Sequence, residues 1–213
     1  MKISASFLSI NNNFKENISI LDQTNIDYLH LDIMDGKFVP NKTWNFKEIE
    51  TLLQNTTKPK DVHLMVKNVK KYVKQFQKLK PEYITFHLET SKNCFDIIRL
   101  IKKYGIKVGM SIKPNTKVEE LKPYLPYLDL VLVMSVEPGK GGQSFIDNSF
   151  NKIKELDNLR QENNYQYLIE VDGGINDTNI TLLKQSNVDI IVVGSFITNS
   201  NNYQEQIEKL LTN

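Results

Sequence analysis

Cysteine is nearly missing: Cys94 is the only one among 213 residues. A lone thiol excludes an internal disulfide and any CxxC metal motif. Long apolar runs are missing too. None approaches the roughly 20 residues that a bilayer-spanning helix needs, and no charged-then-apolar leader opens the chain. The expectation is a soluble, cytoplasmic protein with no membrane association. Neither sign of charge predominates, with 27 Lys and Arg against 25 Asp and Glu and a formal net charge of +2. Without a basic block or a basic-aromatic stripe, nucleic acid is not an expected partner. Linkers and low-complexity segments are absent as well. Residues 1–213 therefore read as one domain, long enough to bury a substantial core. Histidine is scarce, three in all, so the position of each carries weight.

What is there is an alternation. Apolar runs at 3–8, 27–33, 62–66, 83–88, 106–112, 130–136, 167–171 and 189–193 read as strands. Between them lie amphipathic patterns. Phe14, Ile18 and Leu21 share one helix face; so do Phe46, Ile49, Leu52 and Leu53, and then Val69, Tyr72, Val73, Phe76 and Leu79. Further helices are expected at 93–104, at 117–125, through about 163, at 177–186, and around Tyr203, Ile207, Leu210 and Leu211. Near-continuous apolar strands alternating with helices imply a parallel sheet covered by helices. Eight such units fit the lower end of the size range of a closed (β/α)8, or TIM, barrel of the α/β class. The main alternative is an open doubly wound sheet, but its GxGxxG phosphate fingerprint is absent from the first strand–helix turn.

Polar residues interrupt the strands at particular places. His30 and Asp32 sit in the second run, and a period of two points both side chains the same way. Desolvating an imidazole and a carboxylate together is costly unless they are paired, neutralised or bound to a metal. A structural hydrogen bond at a strand end would account for this pair alone. However, Ser6, His63, His87 and Asp172 also lie in or at the ends of strands, and barrels of this type place their sites at the C-terminal ends of the strands. His30, Asp32, His63 and Asp172 together make a four-ligand set for one divalent metal ion, Zn²⁺, Fe²⁺, Mn²⁺ or Co²⁺. The bland alternative is a set of unrelated interior polar residues. His87 is expected as a hydrogen-bonded core or supporting histidine. Glycines cluster after the late strands, at Gly139-Lys140-Gly141-Gly142, Gly173-Gly174 and Gly194-Ser195. They can be plain turn residues, but their clustering favours backbone N–H groups turned toward a phosphate. Met34, Met65 and Met134 are either core filling or an apolar lid over the site.

The stretches YLHLDIMDGKFVPN, DVHLMV, YITFHLE, VLVMSVEPGKGGQSF, IEVDGGI and VVGS carry a resemblance that spans the chain. In this order they closely resemble the ribulose-phosphate 3-epimerase family. The resemblance implies a (β/α)8 barrel with one divalent metal on His30, Asp32, His63 and Asp172. It implies Asp32 and Asp172 as the two acid–base residues. It matches Ser6 to a substrate-contacting serine and His63 to a substrate neighbour as well as a ligand. The glycine loops, Gly139 to Gly142, Gly173 and Gly174, and Gly194 and Ser195, match positions that hold substrate and phosphate. Met34, Met65 and Met134 match methionines that crowd the site. Two stretches depart from the family pattern: Lys140 replaces a usual aromatic residue, and Lys42-Thr43-Trp44-Asn45 replaces an apolar residue followed by Thr-Phe-Gly.

The implied reaction interconverts ribulose 5-phosphate and xylulose 5-phosphate in the pentose phosphate pathway. Asp32 takes the C3 proton and Asp172 returns one to the opposite face, through an enediolate. A ketohexose phosphate such as allulose 6-phosphate is the alternative substrate, and a sugar-phosphate binding barrel without turnover is the alternative from another class. A decarboxylase of related fold would need a lysine two residues after Asp32, where Met34 stands. The family is commonly a homo-oligomer, dimeric or hexameric.

Overall fold

A computed structural model describes residues 1–212. Eight parallel strands close on themselves in chain order. They are β1 (Lys2–Ser6), β2 (Tyr28–Met34), β3 (Lys60–Met65), β4 (Tyr83–His87), β5 (Lys107–Ile112), β6 (Leu130–Met134), β7 (Leu168–Asp172) and β8 (Ile190–Val193). Closure comes from β8 pairing with β1, Ile3 opposite Ile191 and Ala5 opposite Val193. The helices are α1 (Phe14–Asp22), α2 (Phe46–Leu52), α3 (Val69–Phe76), α4 (Cys94–Lys103), α5 (Ser149–Asn163), α6 (Ile180–Gln185), α7 (Ser195–Thr198) and α8 (Tyr203–Thr212).

Period two divides each strand between two environments. Leu29, Leu31 and Ile33 of β2, Val62 and Leu64 of β3, and Val131 and Val133 of β6 face outward. There they join Ile18, Val73, Phe76, Ile101, Leu156 and Leu183 from the helices in one buried core. Burial of each such side chain is worth about 1.5–3 kcal/mol, so this ring carries most of the stability. The alternate residues point inward. At the lower end they are apolar or aromatic: Tyr28 and Tyr83 stack edge to face, and Leu130 and Leu132 pack with them. Toward the C-terminal end they become polar. Register places Ser6 beside His30, His30 beside Asp61, and Asp32 beside His63. Ladder pairing thus holds the future site on rigid strands.

Local signals set the helix entries. Asn45 accepts from the N–H groups of Lys47 and Glu48 while Glu48 accepts from Asn45 N–H, a reciprocal cap at the start of α2. Asn68 accepts from Lys71 N–H at the start of α3. One expected helix is corrected. Residues 117–125 form 3₁₀ turns at Val118–Leu121 and Leu125–Tyr127, with no α-helix between β5 and β6 among the described residues. Pro123 and Pro126 remove donors and restrict the residues before them, which caps the length of any helix there. The four-residue α7 goes unannounced by any periodicity, because it is only about one turn long.

Candidate active site

The inward side chains at the C-terminal ends of β2, β3 and β7 converge. One donor atom from each of His30, Asp32, His63 and Asp172 lies within 4.8 Å of the other three. Asp32 Oδ1 is 3.5 Å from His30 Nε2 and 3.3 Å from His63 Nδ1. Asp172 Oδ2 is 4.0 Å and 3.6 Å from the same two nitrogens. His30 Nε2 and His63 Nδ1 are buried and make no hydrogen bond. Buried ring nitrogens without hydrogen-bond partners are costly, and here both aim at one point between two carboxylates. That donor set fits a tetrahedral or somewhat larger divalent centre.

The remaining atoms of these residues are engaged behind the cluster. His30 Nδ1 lies 2.6 Å from Asp61 Oδ2, which also accepts from Ser4 Oγ at 2.8 Å. Nε2 of His63 lies 2.9 Å from Nε2 of His87, and Ser6 Oγ donates to Asp32 Oδ2 at 2.7 Å. Burial disfavours a charged His30, but the Asp61 and Asp32 carboxylates override it and raise the imidazole well above its ordinary value. His63 is raised too, by Asp172 and Asp32 against burial. Burial works against ionised Asp32 as well, yet His30 and His63 hold the carboxyl well below the usual range, so it stays a carboxylate. Burial pushes His87 down to about 4, leaving it neutral at pH 7.

Two residues behind the cluster escaped the sequence reading. Asp61 is fully buried, and so is Glu170, which stands beside it. One donor atom from each of His30, Asp61 and Glu170 lies within 4.8 Å of the other two. Burial, then the Asp61 charge, raises the Glu170 carboxyl well above its ordinary value, so it keeps its proton. The signal was present: Asp61 precedes His63 by two and Glu170 precedes Asp172 by two, the spacing that joins His30 to Asp32.

Above the cluster opens a narrow cleft. Ser6, Asp32 and Asp172 line it, with Met34, Met65 and Met134, the run Gly139 to Gly142 containing Lys140, and Gly173, Gly174, Gly194 and Ser195. His30 and His63 lie beneath the cleft rather than on its wall. Met34 and Met65 pack with Val39, Leu8 and Phe38, whereas Met134 belongs to the interior column of Leu130 and Leu132. Two cross-links shape the glycine loop: Asn41 donates to Gly139 O, and the Gln143 side chain donates to the carbonyls of Glu137 and Lys140. Gly174 has φ +67°, and a Cβ there would meet Phe145 N at 2.4 Å. Only glycine allows this crossing of two backbone segments.

Fold and site define a (β/α)8 barrel with a buried imidazole–carboxylate centre under a glycine-rich cleft. The family model for the ribulose-phosphate 3 epimerase family matches residues 2–198. A ribulose-phosphate 3-epimerase of Helicobacter pylori is 41% identical over 212 residues, covering 99% of this chain and 96% of that one. One of Aquifex aeolicus is 37% identical over 184 residues, covering 86% and 83%. The chain belongs to the ribulose-phosphate 3-epimerase family, and so to the isomerases that act on carbohydrates. Among solved structures, a 3-hexulose-6-phosphate synthase of Salmonella typhimurium shares the fold at TM-score 0.72 and 15% identity, over 99% of this chain and 96% of that one.

Proposed function

We propose that the protein interconverts D-ribulose 5-phosphate and D-xylulose 5-phosphate by moving a proton off and onto C3. The observation that carries the proposal is the pair Asp32 and Asp172. They rise from β2 and β7, well separated in the strand order, and reach the same centre from different sides. Inverting one carbon needs an acceptor on one face of a planar intermediate and a donor on the other. In the ribulose direction Asp32 accepts the C3 proton, the electron pair of the broken C–H bond passes to the C2 carbonyl as an enediolate, and Asp172 delivers a proton to the opposite face. The roles reverse in the other direction. Ser6, by donating to Asp32 Oδ2, orients the carboxylate so that Oδ1 faces the centre.

A divalent ion such as Zn²⁺, Fe²⁺, Mn²⁺ or Co²⁺, held by His30, Asp32, His63 and Asp172, would supply positive charge against the negative charge developing on the ketone oxygen. Backbone N–H groups of the loops at Gly141 and Gly142, Gly173 and Gly174, and Gly194 and Ser195 would bind the phosphate, with Lys140 on the same wall. Met34, Met65 and Met134 would keep water from the reacting carbon.

The test is proton NMR of ribulose 5-phosphate with the protein in D₂O. Deuterium entry at C3 with appearance of xylulose 5-phosphate, lost on chelation and restored by a divalent ion, is the expected result. No exchange by metal-loaded protein overturns the assignment, and exchange with allulose 6-phosphate instead would reassign the substrate.

A further inference from the structure

His63 is joined to the outside of the barrel by a chain of polar groups that the proposed chemistry does not use. Its Nε2 lies 2.9 Å from His87 Nε2, and the two rings meet edge to edge, centroids 5.0 Å apart and planes 29° from parallel. On the far side of His87, Nδ1 faces Glu89 Oε2 at 3.3 Å, a charge contact without hydrogen-bond alignment. Glu89 is held in turn: its Oε1 accepts from Lys113 N–H at 2.8 Å and from the Thr116 hydroxyl, both in the loop after β5. Phe38 covers the His87 ring at 4.8 Å, and Lys113 Nζ lies over Phe38. Both histidines are buried completely, so no solvent decides where their protons sit.

A neutral imidazole carries one N–H, and two facing ring nitrogens at 2.9 Å need one donor and one acceptor. A carboxylate only accepts. Glu89 Oε2 therefore favours the proton of His87 on Nδ1, which leaves His87 Nε2 as an acceptor. His63 must then carry its proton on Nε2, and its Nδ1 lone pair is left bare toward Asp32 and Asp172. We infer that Glu89 is a positioning residue, acting through His87 to fix the tautomer of His63 and so to present Nδ1 to a divalent cation. His30 reaches the same end by a shorter route, with Asp61 facing its Nδ1 and Nε2 turned to the centre. The inference rests on the metal reading of the centre. It extends that reading to a loop residue at the end of β4 that touches neither cation nor substrate. Supporting partners of this kind commonly tune metal affinity by about 10–100-fold.

The decisive variant is Glu89→Gln, which is nearly isosteric. Its amide oxygen can replace Oε1 as acceptor for Lys113 N–H. The amide NH₂ then faces His87 Nδ1 and donates to it, reversing the chain and placing the His63 proton on Nδ1. With only three histidines in the sequence, ¹⁵N-histidine NMR of the whole protein resolves each ring. In the metal-free wild type we expect His87 protonated on Nδ1 and His63 Nε2 carrying a proton. In Glu89→Gln we expect His87 protonated on Nε2 and Zn²⁺ affinity, measured by chelator competition, weaker by about 10–100-fold. Glu89→Ala, which lacks either preference, should give mixed tautomers and an intermediate loss. A wild-type His87 protonated on Nε2 would overturn the inference, as would Glu89→Gln binding Zn²⁺ like wild type. Wild type that binds Zn²⁺ and shows the expected tautomers without turning over a pentulose phosphate removes the epimerase proposal alone. Turnover with no response to Glu89→Gln removes the relay alone.

Discussion

Asp32 and Asp172 differ in their surroundings, and that difference governs what each substitution does. Asp32 is 6% exposed and tied to Ser6, His30 and His63; Asp172 is 16% exposed and reaches the cleft more openly. An amide at either position keeps the shape and one oxygen, but it can neither accept the C3 proton nor return one. Asp32→Asn and Asp172→Asn are each expected to lower kcat by at least about 10²–10⁴-fold with Zn²⁺ saturating. Steady-state rates on ribulose 5-phosphate, with metal content measured on the same samples, decide the matter. Either variant turning over near the wild-type rate with metal bound would sink the two-carboxylate scheme. At this scale the sequence was informative because of spacing. His30 and Asp32, two apart in an otherwise apolar strand, stood out at once. Asp61 and Glu170 obey the same spacing, but the sequence alone does not tie them to the cluster, and in the structure neither reaches the cleft. What singles them out is nearness to His30, which no single strand shows: Asp61 comes beside it through the register of β2 against β3, and Glu170 reaches the same group from β7.

Strands were legible as elements because period-two burial and apolar runs are local properties. Whether the sheet closes is not local: it depends on β1 pairing with β8, nearly the whole chain away, so strand pattern alone does not separate a closed barrel from an open sheet. The segment 117–125 failed for the opposite reason. Its apolar spacing resembled a helix, but two prolines within four positions limited it to 3₁₀ turns. Loops are read least well, yet one loop position makes a sharp forecast. Gly174 joins β7 to the segment before α6 with φ +67° and crosses Phe145 N–H and Gln143 O at distances that leave no room for a Cβ. Gly174→Ala must move the 143–145 segment and hold alanine in a left-handed conformation, a strain of about 1 kcal/mol or more. The cleft wall, and not the His30–His63 cluster, takes the displacement. The expected outcome is a KM for the sugar phosphate raised severalfold or more, with Zn²⁺ affinity unchanged. A variant with wild-type KM would mean that this crossing does not shape the substrate's side of the cleft.

Across the whole molecule the barrel has two interiors with opposite energetics. The shell between strands and helices is apolar and stabilises the fold; the column inside the strands carries Ser4, Asp61, Thr85, Ser111 and Glu170, all buried, beneath the His30–His63 centre. Holding a cation-sized cluster of donors on rigid strands requires polar groups below it, and those groups cost stability that the outer shell offsets. Glu170 shows the cost in a measurable form. Its folded-state pKa lies well above the ordinary 4.5, first through burial and then through the Asp61 charge. For a group shifted upward, the folded state binds the proton more tightly than the unfolded one. The contribution to stability is therefore full below pH 4.5 and is lost progressively as pH rises toward the folded pKa. Glu170→Gln keeps the shape and the neutral donor but has no proton to lose. In metal-free protein, unfolding midpoints in guanidinium chloride between pH 5 and pH 9 should show the variant gaining on wild type steadily as pH rises. At the acid end the two should nearly coincide. Parallel curves would mean that Glu170 is ionised in the folded protein. The column under the site would then hold a charge pair with His30 instead of a neutral acid, and Asp61 would have to share that imidazole with a second carboxylate.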